Sequence, residues 1–189
     1  MCPLHLPTKF TLMSAIEKGQ FLAQEIAELL IFQNKTLSVA ESCTGGKISS
    51  IITSIFGSSD FFKGGIIAYS NQVKIDQLRV KKTDLEKYSA VSEKVAMQMA
   101  EGVKNQFLVD YAIATTGYAG PEGEKVGQVF IAFSSSKRTI VKECFFRGER
   151  RKIVTQAAIE ALTLLNVELK FHQLNEQYFL VYQLYQRNT

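Results

Sequence analysis

Between positions 14 and 33 apolar side chains recur every three or four residues (Ile16, Phe21, Ile26, Leu29, Leu30) among polar ones. That is the period of a helix with one buried face. The pattern then changes. "TLSVAES" (36–42) is a short apolar run that ends in polar residues, as a buried strand does. Glycines 45 and 46 open "GGKISSIITSIF", which reads as a second helix, and "GGIIAYS" (64–70) reads as the next strand. "NQVKIDQLRV" is a weaker helical piece, followed by a loop and then by a helix over 92–107 with Ser92 as its N-cap. "DYAIATTG" (110–117) is a strand that breaks into the glycine-rich "GYAGPEGEKVG". Strands at 128–135 and 138–146, joined by a short polar turn, predict a hairpin. A long helix begins near 149, and the aromatic "KFHQLNEQYFLVYQLYQRNT" after it is expected to be helical and to dock on the domain or on a partner.

Helices alternating with strands, plus one hairpin, predict a single three-layer α/β/α domain with a mixed sheet. The domain is placed at 14–167, with an N-terminal extension at 1–13 and the aromatic tail at 168–189. Met13 offers an alternative start. In such sheets ligands favour the loops at the carboxyl ends of the strands, which selects "ESCTGG", "YSNQVK" and "TTGYAGPEG".

Composition narrows the classes. The chain has 189 residues, 46% hydrophobic and 21% charged, with a net charge of +4. No apolar run reaches the length needed to span a bilayer, and no basic segment leads into an apolar one as in a secretory signal. Cys2, Cys43 and Cys144 lie far apart without C-x-x-C spacing, so a reducing compartment, the cytoplasm, is expected, with no zinc site. The basic clusters "RVKK" and "RGERRK" are too short for a nucleic-acid stripe. The two histidines, His5 and His172, lie near the chain ends, which disfavours a Ser-His-Asp triad, a Cys-His pair or a His-rich metal centre. Catalysis would fall to Lys, Ser, Thr, Tyr, Arg or carboxylates.

Each candidate loop has two readings. The start of the second helix, Thr44, Gly45 and Gly46, resembles an anion site, because free amides at a helix start attract phosphate; the plain alternative is a helix cap. It matches neither the Walker A pattern nor G-x-G-x-x-G nor G-x-S-x-G. In the threonine–glycine loop, Thr116 offers a hydroxyl to a ligand or merely bonds its own backbone. Ser59 and Lys74 are candidates for a serine nucleophile with a desolvated lysine as base; otherwise they are a turn serine and a surface lysine. A seven-residue strand spans roughly 20 Å, so these two meet only if the chain doubles back or across a subunit interface.

In their order, "AESCTGG", "GSSDFFKGGIIAYSNQVK", "AVSEKVAMQMAEG", "ATTGYAGPEGEKVGQVFIAF" and "FRGERRKIVTQAAIEAL" resemble the CinA C-terminal domain family over about residues 14–165. The known activity of that family is nicotinamide mononucleotide deamidation, and the chain length is similar to the stand-alone deamidase form. The resemblance implies Ser59 as nucleophile, Lys74 as its base, Tyr69 as an accompanying hydroxyl and Thr116, with Gly117, in the active-site loop. It implies Arg150 as a substrate ligand, with Arg151 as the neighbouring register. Thr44, Gly45 and Gly46 become part of the mononucleotide pocket by helix-terminus physics. No cofactor or metal is expected, and a homo-oligomer is. Tyr118 stands where the family has a smaller aliphatic residue, and the tail after about residue 168 lies outside the resemblance. The rival expectation is a non-catalytic relative that binds nucleotide or serves competence or DNA-damage responses.

Overall fold

The computed structural model describes residues 13–121 and 125–187, so the predicted extension at 1–13, apart from Met13, lies outside the described residues. Ser14 starts helix α1 (Ala15–Phe32) with a capping box: its hydroxyl accepts the Glu17 amide, and the Glu17 side chain accepts the Ser14 amide. The chain continues as β1 (Leu37–Glu41), α2 (Lys47–Thr53), the single turn α3 (Ser58–Phe61) and β2 (Phe62–Ile67). Next come α4 (Asn71–Leu78), α5 (Lys82–Tyr88), α6 (Glu93–Phe107) and β3 (Tyr111–Gly117). The hairpin β4 (Gln128–Ser134) and β5 (Thr139–Phe145) leads into α7 (Arg150–Arg187).

The sheet order is β2-β1-β3-β4-β5. β2 and β3 run parallel to β1, and β4 and β5 are antiparallel, which makes the predicted mixed sheet. Strand alternation splits the core in two. Leu37, Val39, Ile113, Val129, Ile131 and Phe133 meet α1 and α7 on one face. Ala40, Ala112, Ala114 and Ala132 meet α4, α5 and α6 on the other. The small residues on that second face bring α6 close to the sheet. Glycine does the same between helices: a β-carbon on Gly102 of α6 would stand 2.0 Å from the Leu78 carbonyl oxygen at the end of α4. α4 is thereby seated tightly over the ends of β1 and β2.

Three elements depart from the sequence pattern. β2 covers 62–67 rather than 64–70, because Ala68 turns its amide to the Glu41 carbonyl and Ser70 leaves the sheet to cap α4 through the Val73 amide. The expected loop before α6 contains α5, whose one buried side chain, Leu85, is too little for a periodic signal. The long helix does not break at 167. It runs on through 187, and Glu168, Leu169 and His172 are buried against the domain. His172 sits among the rings of Tyr111, Phe133 and Phe171. Tyr111 begins β3, so this histidine lies at the end of the sheet away from the three loops.

Candidate active site at the carboxyl ends of β1, β2 and β3

Lys74 lies on the first turns of α4 and is only 2% exposed. Its Nζ donates to the Ser42 hydroxyl at 3.0 Å and to the Ala68 carbonyl at 2.8 Å. Ser42 follows β1 directly and Ala68 follows β2, so two parallel strands deliver both partners to one edge of the sheet. Burial pushes the Lys74 amine below its ordinary range. Burial also pushes the Cys43 thiol up to about 12, which leaves it protonated and unreactive. Among the described residues no carboxylate forms an ion pair with Lys74.

Ser59 stands elsewhere. It is exposed on α3, which enters the amino end of β2, whereas Lys74 grips the carbonyl beyond the carboxyl end. The six residues of β2 place about 20 Å between those ends. α3 ends where β2 begins and α4 starts after β2 ends, and Lys74 Nζ bonds Ser42 and Ala68 instead, so Ser59 and Lys74 do not pair within one chain.

The helix start at Thr44, Gly45 and Gly46 is also not an open anion cradle. Glu41, buried at the end of β1, accepts the amides of Gly46 (2.9 Å), Ile48 (3.1 Å) and Ser49 (2.8 Å), and the Ser49 hydroxyl at 2.7 Å. The amides of Gly45 and Lys47 go to the carbonyls of Ser42 and Thr44. An internal carboxylate therefore occupies the place predicted for phosphate, and the cap reading holds. Thr44 bonds the Thr115 hydroxyl at 2.7 Å and ties the turn to β3.

Thr116 is buried and its hydroxyl reaches the Ala90 carbonyl at 2.7 Å, anchoring the segment before α6. Gly117 ends β3 where a β-carbon would stand 2.6 Å from Val129 Cγ2, so packing against β4 requires glycine. Tyr69, 62% exposed, turns its hydroxyl away from Lys74 to accept from Arg150 Nη2 at 2.8 Å. Arg150 Nη1 donates to the Gly120 carbonyl at 2.8 Å. One guanidinium thus joins the loop after β2 to the glycine-rich loop after β3, and this bridge belongs to Arg150.

The structure brings together Lys74, Tyr69, Arg150, Thr116 and the turn at 44–46 along one sheet edge; Ser59 is the exception. The hydroxyl that Lys74 meets, Ser42, is not singled out by the motif reading. A signal existed: it directly follows a parallel strand, the position on which ligands converge in such sheets.

These features define an α/β domain with a buried lysine–serine pair at the carboxyl edge of a mixed sheet. The chain belongs to the CinA family: residues 19–169 match the CinA C-terminal domain. It is 44% identical over 150 residues to a CinA-like protein of Rippkaea orientalis, covering 77% of this chain and 36% of that protein. A putative competence-damage inducible protein of Clostridioides difficile is 40% identical over 161 residues, covering 82% of this chain and 38% of the relative. The chain thus spans less than two fifths of the length of these relatives. Among solved structures, a competence or damage-inducible protein from Enterobacter asburiae superposes with a TM-score of 0.78 at 31% identity, covering 80% of this chain and 98% of its own. The competence/damage inducible protein CihA from Agrobacterium tumefaciens does so with 0.78 at 33%, covering 81% and 96%. The fold is that of the CinA superfamily.

Proposed function

We propose that this chain hydrolyses the carboxamide of nicotinamide mononucleotide to nicotinate mononucleotide and ammonia, with Lys74 as the base and Ser42 as the nucleophile. The observation that carries the reading is the buried Lys74 amine on the Ser42 hydroxyl. A neutral amine accepts the hydroxyl proton as Oγ attacks the amide carbon. The resulting ammonium returns the proton to the leaving nitrogen as the tetrahedral intermediate collapses. Water then attacks the acyl-enzyme and releases the acid. The amides of Cys43 and Thr44, next in the turn, are the donors assigned to the oxyanion. Arg150 and Tyr69, which join the loops after β2 and β3, are assigned to the mononucleotide. Nothing in this sequence of steps calls for a cofactor.

A second reading keeps Ser59 as nucleophile and requires a homo-oligomer. It draws support from the position of Ser59 beside β2, an edge strand of the sheet. Ser59 at one end and Lys74 at the other are the halves that two antiparallel copies, paired along this edge, would complete.

One experiment separates the readings. Ammonia release from the mononucleotide is measured for the wild type, Ser42→Ala, Ser59→Ala, Lys74→Met, and a mixture of the last two. Loss in Ser42→Ala with activity kept in Ser59→Ala is expected. Loss in both Ser59→Ala and Lys74→Met alone, with recovery of activity in their mixture, would establish the shared site instead. A wild type that binds the mononucleotide without releasing ammonia would leave a binding module of the competence/damage-inducible type.

A further inference from the structure

Glu41 takes no part in the chemistry above, yet it is the most heavily bonded side chain beside it. It is 1% exposed, and both carboxylate oxygens are filled: Oε2 by the amides of Gly46 and Ile48, Oε1 by the amide and hydroxyl of Ser49. All four donors belong to the start of α2, while Glu41 itself is the last residue of β1. Strand and helix are therefore clamped to each other across residues 42–45. Ser42 is the first residue inside the clamp. Its amide is held by the Thr115 carbonyl at 3.0 Å and its carbonyl by the Gly45 amide at 3.2 Å.

The choice of side chain matters. A carboxylate offers lone pairs on two oxygens and no proton, which matches four donors and nothing else. Glutamine has the same shape but would turn an NH2 group towards two of those donors. Aspartate keeps the charge but is one methylene short. Gly45 and Gly46, at φ +60 and +95, let the chain curl tightly enough for the helix start to face back to its own strand.

We infer that Glu41 is the positioning residue of the Ser42–Lys74 pair: its carboxylate holds the 42–46 turn in the geometry that sets the Ser42 hydroxyl on the Lys74 amine and seals that amine from water. The kinetic consequence rests on the deamidase reading. The effect on Lys74 does not, because it follows from burial alone. Facing Lys74 are Ser42 and Cys43 of the clamped turn and the Ala68 carbonyl. The residues of α6 in the cluster shared with α4, including Val95, Ala96 and Met99, are apolar. Loosening the turn therefore admits water next to the amine without bringing a new charge to it. Hydration favours the protonated form, so the Lys74 titration moves up.

The test follows the Lys74 side-chain carbon next to Nζ by NMR through a pH titration, with Lys74→Arg as the assignment control, alongside steady-state kinetics. In Glu41→Gln the titration midpoint should rise towards that of an ordinary lysine. kcat should fall about tenfold to a hundredfold with KM little changed, the signature of a displaced reacting atom. Ser49→Ala, which removes one donor of four, should shift both in the same direction by less, and Glu41→Asp should lie between. A lowered melting temperature in Glu41→Gln with the midpoint and kcat unmoved would reduce Glu41 to a helix cap and overturn the inference. If Glu41→Gln does not fold, Glu41→Asp and Ser49→Ala decide, and wild-type midpoints in both overturn it. If the wild type releases no ammonia, the deamidase reading falls, and the midpoints alone decide the inference.

Discussion

The Nζ of Lys74 and the Oγ of Ser42 stand 3.0 Å apart although 32 residues separate them in the chain. The contact exists because α4 returns over the sheet edge at which β1 ends. As a hydrogen bond it orients the serine hydroxyl; with the amine neutral, the same line becomes a path for the serine proton.

A pair acting as one unit gives non-additive losses. Ser42→Ala and Lys74→Met should each reduce ammonia release by about a thousandfold or more, and the double variant should be no worse than the poorer single one. Multiplying losses in the double variant would show that the two residues act separately.

The pH dependence follows from the lowered Lys74 titration. With Lys74 as the proposed base the deprotonated amine is the active form, so kcat/KM should rise with pH and level off below the ordinary lysine range, because burial has moved the amine down. Stability carries the same sign. Between the folded-state value and the higher unfolded one, the unfolded chain binds the extra proton, so wild type should gain stability over Lys74→Met as pH rises through that window. Thermal melts of both proteins across the alkaline range test this, and a constant difference would contradict it.

Arg150 joins Tyr69 to Gly120 through two separate nitrogens of one planar fork. Lysine has a single nitrogen and cannot reproduce that bridge. Arg150→Lys should therefore raise KM nearly as much as Arg150→Ala, by about tenfold. A Tyr69→Phe and Arg150→Ala double-mutant cycle should show coupling of about 0.5–1 kcal/mol in KM, because both groups are exposed. Additive effects would mean that the bridge is not used in binding.

Gly102 admits the carbonyl of Leu78, and α4 carries Lys74. Gly102→Ala forces a β-carbon against backbone that has nowhere to retreat. It should cost about 3 kcal/mol or more in a denaturant titration, and activity should fall because α4 is displaced. A variant with wild-type stability would show that the helices separate freely.

Local patterns decided a large part of this molecule. Helical periodicity in α1, α6 and α7, the short apolar runs of β1 and β3 and the polar turn between β4 and β5 are visible in the sequence because each reflects which face of one element is buried. Ser92 caps its helix as predicted, through the Val95 amide, because a cap is a contact between residues three apart. The three loops at the carboxyl ends of the strands were legible for a similar reason, since a parallel strand order forces them to one edge. α5 escaped because a seven-residue helix with one buried side chain leaves no period to read.

The partners across the sheet edge were decided only by the tertiary structure. The resemblance pairs Ser59 with Lys74, which strand length allows only if the chain doubles back or across a subunit interface; within one chain β2 runs between them and holds them at opposite ends. Ser42 reaches the lysine instead because β1 lies parallel to β2 with Glu41 level with Ile67. The helix start that resembled a phosphate site is filled by Glu41, whose role depends on how tightly the chain curls at Gly45 and Gly46. Tyr69 meets Arg150 through a contact spanning 81 positions. Burial and periodicity are written locally, residue by residue. Which polar groups finally meet depends on strand order, strand length and the separation of packed helices, and those distances belong to the folded chain.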